Sequence, residues 1–398
     1  MYQSVQTEAH TKLAKARPCP RVGAVMGPGL IRPIASGDIG AIARIFQTQF
    51  RKTSAPASAG LVDYLDRLFV SGPFADGSLP SLVYQREDAG IAGFLGVTAQ
   101  PLVLEGMPIR AAVCGALMVD AHQQDPMAGA RLLKAFLAGN QDVSLSETAG
   151  DATLSMWRQL RGDVLTRHSL DWLRVIRPSG FAVEIMARRI GAARVLSSLA
   201  GLIDTRLARL GSERGLRWAA LSDDFKAPGG LTVQPVAVAD FADQIRAFTD
   251  SFPIRRDWSD AALQQVLADL PHKSAFGALR ICVVRARGGA ILGGFVYYHR
   301  PLATAHILDV LVAPERAGMV LDCLLRDAAD HGAVAVRGRT APAIFDALLE
   351  RRCLMFRYGA SVVAGRDPVL MERLKRGDAA FNGLVGERWS RLMGDSFA

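Results

Sequence analysis

Short apolar runs give way to apolar residues at helical spacing twice along this chain, in the same order each time. The first series opens on a strand near residues 30–34, continues through helices near 38–51 and 58–71, and then gives three strands near 81–86, 90–102 and 109–119. Glu87-Asp88-Ala89-Gly90 and Glu105-Gly106-Met107-Pro108 are turn signals between those strands, so the three should form an antiparallel meander. Residues 128–137, AGARLLKAFL, then carry apolar side chains at helical spacing. Asp142 to Leu145 reads as a short strand, followed by a helix near 149–160 and a further strand. From about 231 to 390 the same order returns. The pattern predicts an α/β chain in which a mixed, mostly antiparallel sheet is flanked by helices, built twice.

The repetition extends to individual residues. Ile31 to Phe46 and Val233 to Phe248 align with Pro33/Pro235, Ala35/Ala237, Asp38/Asp240, Arg44/Arg246 and Phe46/Phe248 in register. Ala92-Gly93-Phe94 answers Gly293-Gly294-Phe295, Met127 with Leu132-Leu133 answers Met319 with Leu324-Leu325, and Thr148-Ala149 answers Thr340-Ala341. A period near 200 residues is too long for a solenoid and points to two domains of one fold. The expected organisation is a loose leader over 1–29, a first domain over 30–182, a helical linker over 183–229 and a second domain over 230–398. Within the linker, Val195, Leu196, Leu199, Leu202, Ile203, Leu207 and Leu210 form one apolar stripe, with Arg188, Arg189, Arg206 and Arg209 left to the other faces.

Composition narrows the classes. Half of the 398 residues are apolar and 21% are charged, which is a globular balance. The formal charge of +9 suits an anionic partner, yet no dense Lys/Arg run occurs. Five cysteines without CxxC or Cys/His spacing argue against a disulfide frame and a metal site, and for a reducing, cytoplasmic setting. No apolar run is long enough to span a membrane.

The chemistry-bearing stretch is Leu117 to Leu133, LMVDAHQQDPMAGARLL. A strand ends at Val119, a polar loop turns through Gln123 to Pro126, and a helix starts near Met127 with Gly129 in its first turn. The N–H groups from Met127 to Arg131 and the positive end of the helix dipole would converge on one spot, an arrangement suited to a pyrophosphate. A side chain at position 129 would hold the backbone away from it.

On these residues the chain resembles the GNAT superfamily of acyl-CoA-dependent N-acyltransferases, whose phosphate loop reads Q/R-x-x-G-x-G/A before a pair of leucines. The match is Gln124, Met127 in the place of the first glycine, Gly129 and Leu132-Leu133. The resemblance implies that Gln124, Asp125, Pro126, Met127, Ala128, Gly129, Ala130 and Arg131 cradle acetyl-CoA or another acyl-CoA, and that Leu117, Met118 and Val119 bind its pantetheine arm and polarise the thioester. It also implies direct attack by an amine, for which Asp120 and Glu147 are the carboxylates available as base. The family's usual proton donor, a tyrosine in N-x-x-A-x-x-L-Y, falls at Trp157 of GDATLSMW. An indole N–H cannot usefully release a proton, so Ser155 or water would serve instead, and Trp157 would pack beside the cofactor. The second copy, APERAGMVLDCLL, sets Arg316, Met319 and Leu321 at the motif places and is expected to have lost the cradle.

The expected function is transfer of an acyl group, most simply acetyl, to an amine of a small molecule or sugar. Two other classes stand beside it: a non-catalytic tandem GNAT scaffold or acyl-CoA sensor, and a basic module for nucleic acid or a membrane surface. The Tyr297-Tyr298 pair beside His299 and Arg300 is the only aromatic patch that speaks for nucleic acid, and a strand of aromatics is more often core. Acceptor, acyl length and oligomeric state are not legible.

Overall fold

A computed structural model of the chain describes residues 29–87, 90–120, 125–189 and 229–397. The expected linker helix beyond Arg189, the leader up to residue 28 and the loop residues 121–124, which include His122 and Gln124, lie outside them. The strands of the first half are β1 (Leu30–Pro33), β2 (Leu82–Gln85), β3 (Ile91–Ala99), β4 (Leu102–Leu104), β5 (Met107–Ile109), β6 (Ala111–Val119), β7 (Val143–Ala149), β8 (Asp163–Val164) and β9 (Asp171–Val175). Those of the second half are β10 (Leu231–Pro235), β11 (Ile254–Arg256), β12 (Ala278–Ala286), β13 (Ile291–His299), β14 (Thr304–Val312), β15 (Ala335–Arg339), β16 (Leu354–Phe356) and β17 (Ala360–Gly365). The helices are α1 (Ile39–Gln49), α2 (Ala59–Asp66), α3 (Ala128–Leu137), α4 (Asp151–Gln159), α5 (Pro178–Arg189), α6 (Ala242–Thr249), α7 (Asp260–Asp269), α8 (Ala317–Asp330), α9 (Pro342–Glu350) and α10 (Pro368–Arg376).

Two seven-stranded sheets carry the molecule, ordered β1-β2-β3-β6-β7-β17-β8 and β10-β12-β13-β14-β15-β9-β16. Position for position the orders are the same, with one exchange. β17 of the second half pairs antiparallel with β7, Ala360 opposite Ala149 and Gly365 opposite Val143, while β9 of the first half pairs with β15, Asp171 opposite Arg339. Each half therefore lends its last strand to the other's sheet. β7 consequently runs to Ala149, four residues beyond the Leu145 expected from the sequence, because the borrowed strand supplies hydrogen-bonding partners there.

Local pattern and burial agree where the sheet is central. β3 is buried along eight of its nine residues, as a strand covered on both faces should be. α3 buries Ala128, Leu132, Leu133 and Phe136 and keeps Lys134 outward, matching the helical spacing read from the sequence. The Glu105-Gly106 turn joins β4 to β5 with both residues at positive φ, 52° and 85°, the type I′ geometry that suits a tight hairpin. That hairpin is not part of the meander's sheet. It forms a separate three-stranded sheet with β11 from the second half. Tyr297 and Tyr298 are 0% and 2% exposed, which makes them core rather than a stacking platform. Among the described residues no helix is long and apolar enough to cross a membrane, and no cluster of His, Cys, Asp and Glu could hold a metal ion.

Candidate active site

β6 and β7 pair in parallel only over Ala111–Val113 and Val143–Leu145, and beyond that they diverge. The cause lies on the other edge of β6. Gly96 of β3 faces Ala116 whereas Val97 faces Cys114, so Gly115 is an extra residue that bends β6 away from β7. Leu117, Met118 and Val119 remain paired with Leu95, Phe94 and Gly93 on one side, which leaves their other edge without a strand. The second sheet repeats the device: β14 and β15 pair only over Thr304–His306 and Ala335–Arg337, and Leu308 is the extra residue.

α3 begins directly past the end of β6, with Met127 at its N-cap and 58% exposed. The Asp125 carboxylate accepts the Met127 N–H at 3.2 Å and is itself bound by Tyr84 and Arg131, so its charge is compensated at the helix start. Arg131 also lies over the Tyr84 ring, 5.3 Å from its centre. The N–H groups of Gly129 and Ala130 have no acceptor among the described residues. A methyl group added at Gly129 would stand 3.5 Å from Val119 Cγ2 and 3.8 Å from Met156 Sδ, which is ordinary contact. The fold itself thus accepts alanine there, and the demand for glycine has to come from what approaches the turn.

The other expected site residues fall in different surroundings. Asp120 is partly exposed and pairs with Arg44 at 3.0 Å. Ser155 is on the exposed face of α4. Trp157 is 0% exposed within the core beneath α3 and α4, edge-on to Phe136, and its Nε1 has no partner among the described residues. It packs in the core of the first half; Met156, one residue earlier, is the α4 side chain that meets the phosphate turn.

Glu147 is 1% exposed, not a loop acid. Its carboxylate accepts N–H bonds from Gly383 at 3.0 Å, Glu387 at 3.0 Å and Arg388 at 3.3 Å, all in the segment that follows α10. That segment comes close enough to require glycine twice. Gly386 leaves 2.2 Å between a would-be Cβ and Glu147 Oε2, and Gly383 has φ +68° against the Asp309 carboxylate. Glu387 reaches back into the gap between β6 and β7, where it accepts from Glu147 N at 3.0 Å and Thr148 Oγ1 at 2.7 Å. Burial, and next the charge of Glu147, push the Glu387 carboxyl up to about 7. A raised carboxyl pKa favours folding below the unfolded value of 4.5, and this stability is lost as pH rises through 7. Glu387→Gln is therefore expected to match the parent near pH 4 and to exceed it by about 3 kcal/mol near pH 8.5 in urea unfolding. A difference that does not grow with pH would contradict the assignment.

Between the halves lies a cavity of about 540 Å³. Thr148 and Gly150, at the end of β7, form one wall, and the diverging ends of β14 and β15 contribute His306 to Leu308, Arg337 and Arg339. Lys273, Arg388 and Met393 close it. Lys273 is 1% exposed and donates to the carbonyls of Ser390 at 2.5 Å and Met393 at 2.6 Å. Burial, and next the charge of Arg388, bring its ammonium down to about 7. None of Lys273, Arg337, Arg339, Glu387 and Arg388 was singled out from the sequence. The available signal was the placing of Glu387 and Arg388 inside an otherwise apolar stretch, Leu384 to Trp389.

The corresponding turn of the second half differs in length as well as in residues. Residues 120–127 join β6 to α3, whereas only 313–316 join β14 to α8. Counted from the helix start, Gly318 and not Leu321 answers Gly129, so the expected alignment on Met319 is one turn out of register. A Cβ on Gly318 would lie 2.8 Å from Arg351 Nη2, and Arg351 is held there by Asp322 through bonds of 2.7 and 2.8 Å. Protein atoms fill this corner.

No family model matches the chain, and no curated protein matches it. Solved structures do. A GCN5-related N-acetyltransferase from Anabaena variabilis ATCC 29413 superposes with a TM-score of 0.54 at 11% identity, over 84% of this chain and 72% of that one. A conserved protein of unknown function from Enterococcus faecalis V583, described as a probable N-acyltransferase, gives 0.52 at 10% identity over the same shares. At such identity the likeness speaks for the backbone alone, and on that ground the fold of this chain is that of the GCN5-related N-acetyltransferases.

Proposed function

We propose that the chain is an acyl-CoA-dependent N-acyltransferase whose first half holds the coenzyme, with acetyl as the simplest acyl group and an amine of a small molecule or sugar as acceptor. The observation that carries this reading is a coincidence: the bulge at Gly115 strips Leu117–Val119 of a strand partner where α3 begins with two unclaimed N–H groups. An extended thioester arm needs the first and a pyrophosphate needs the second. Gln124 and Pro126 belong to the same loop, and Asp125, Met127, Ala128, Gly129, Ala130 and Arg131 form its turn. In the second half the equivalent corner is filled by Arg351, so one coenzyme per chain is expected.

Acyl-CoA, when bound, supplies the activated acyl group. The chain's part is to orient it along β6, to donate main-chain N–H bonds to its carbonyl oxygen from Met118 or Val119, and to receive the proton of the attacking ammonium. Glu147 is committed to three N–H donors of the C-terminal segment and is poorly placed for that last task. Asp120 is the other expected base, at the end of β6, and Lys273 is a cavity group whose ammonium burial brings down to about 7, so that roughly half of it is free as a base at that pH. Ser155 or water remains the donor to the departing thiolate. A sensor that binds acyl-CoA without turnover is the second reading, favoured by the burial of Trp157 where the family's acid is expected.

The test is a pair of substitutions at one residue. Gly129→Ala should fold with stability equal to the parent or better, because helix interiors favour alanine over glycine by about 1 kcal/mol. Gly129→Glu places a carboxylate at the anion site and should weaken acetyl-CoA binding about 100-fold or more in calorimetry. Free-thiol release over an amine panel then separates transferase from sensor. Unchanged affinity in Gly129→Glu would remove the coenzyme from this corner.

A further inference from the structure

The cavity between the halves is cationic, and we infer that the acceptor it takes is an amine that also bears a carboxylate or phosphate. This rests on the acyltransfer reading for the word acceptor, while the anion-binding part stands on the cavity alone. Three guanidinium groups line it, those of Arg337, Arg339 and Arg388, and Lys273 adds a fourth basic group. Asp171 is the only acid among its lining residues, and it is shared, 3.5 Å from Arg337 and 3.9 Å from Arg339. Arg388 meets Glu147 only at 3.9 Å, and its buried Nη1 has no hydrogen-bond partner among the described residues. Two carboxylates, Asp171 in the lining and Glu147 behind Arg388, face three permanently charged groups and leave an excess of positive charge in a concave, partly desolvated space, where a field is focused rather than screened.

The position of these arginines gives the excess a purpose. Arg337 and Arg339 stand on β15, where it diverges from β14, and this opening is the second sheet's counterpart of the gap that would receive the thioester in the first. With its phosphate corner filled by Arg351, the second half keeps the opening and lines it with guanidinium groups. Thr148 and Gly150 bring the end of β7 to the same space, so a ligand anchored on the arginines would lie against the strand that borders the proposed thioester path. Guanidinium forks bind carboxylate and phosphate through paired N–H bonds, which fixes orientation as well as affinity. The same field disfavours an acceptor whose only charges are ammonium groups. Arg337 lies 5.2 and 5.1 Å from the ring centres of Phe356 and Tyr358, and Tyr358 is 80% exposed, so this side chain stands near the mouth.

Calorimetry on the full chain tests this with matched probes: glucosamine 6-phosphate against glucosamine, and glycine against glycinamide. At least one member that bears the anionic group should bind about 10-fold or more tightly than its partner without one, and Arg337→Gln should remove that preference while leaving acetyl-CoA affinity unchanged. Arg388→Gln should do the same, and the more peripheral Arg337 keeps the test valid where the Arg388 variant folds poorly. In thiol release the favoured anionic amine should show kcat/KM about 30-fold above its partner, chiefly through KM. Equal binding within both pairs, or no binding by any of the four, overturns the inference. So does a loss of acetyl-CoA affinity in Arg337→Gln, which would mean that the arginines serve the coenzyme's own phosphates. Anion binding without acetyl-CoA binding would uphold the cavity's ligand class and sink the acyltransferase reading instead.

Discussion

Neither half of this chain is expected to fold when expressed alone. A piece spanning 30–189 would lack β17, which is the partner of β7 on one side and the only sheet neighbour of β8. It would also carry β9 with nothing to pair against, exposing Trp172 and Val175, both 0% accessible in the full chain. The reciprocal piece, 229–398, would lose β9 from between β15 and β16 and present β17 as a free apolar strand. Open strand edges of this kind invite aggregation. A polar knot adds to the cost of separation. Arg339 donates to the carbonyls of Glu147 and His168 at 2.9 and 2.8 Å, and Asn382 and Ser361 each donate to His168 O. Cut apart, these buried groups lose their partners, at about 1–3 kcal/mol each. The expected result is an insoluble or molten single half without a cooperative unfolding transition, and a stable 1:1 complex on co-expression. A lone half with native near-ultraviolet circular dichroism and a sharp transition would show that the exchange is dispensable.

The exchange also marks where sequence reading ends. The doubled order of strands and helices, the α3 bounds and the meander were legible because each follows from local periodicity. Which sheet a strand joins does not. β9 and β17 are short strands whose own pattern does not say which half they complete, and tertiary packing sends each across. That one non-local fact alters the site, because the strand ending at Leu145 by its own pattern is carried on to Ala149, and Glu147 becomes an interior residue. The turn between β14 and α8 falls out of the sequence alignment for a related reason. Constant spacing tracks the strands through both halves, but a connection shortened to residues 313–316 slides the following helix, and only coordinates show the slip. The cavity's basic lining was invisible because Lys273, Arg337 and Arg388 come from three distant segments and share no spacing. The corner where β6 ends and α3 begins was legible as backbone geometry, since strand end, loop and helix start are contiguous in sequence.

Glu147→Ala is expected to destabilise the protein by about 3–5 kcal/mol in denaturant unfolding. The substitution orphans the N–H groups of Gly383, Glu387 and Arg388 in a region closed to water, and it leaves Arg388 without its nearest carboxylate. Partial relief comes from Glu387, whose raised pKa owes something to the Glu147 charge, so the net cost should fall as pH rises toward 7 and level off above it. Glu147→Gln keeps the shape but turns one oxygen into a donor facing backbone donors, and about 1–3 kcal/mol is expected. Because Trp389 packs on Phe74 and Phe397 on Tyr64, the C-terminal segment bridges from the β7 anchor to the helices of the first half. Its release should raise protease sensitivity between α10 and the C-terminus before global unfolding. The comparison decides between two roles for one carboxylate. A residue that anchors the segment loses stability in proportion to activity, and osmolyte or ligand that restores the fold restores turnover. A residue that removes the ammonium proton loses turnover at unchanged stability, and its kcat/KM profile loses the acidic limb. The second outcome would return Glu147 to the chemistry and leave the bonds to the C-terminal segment as its means of orientation.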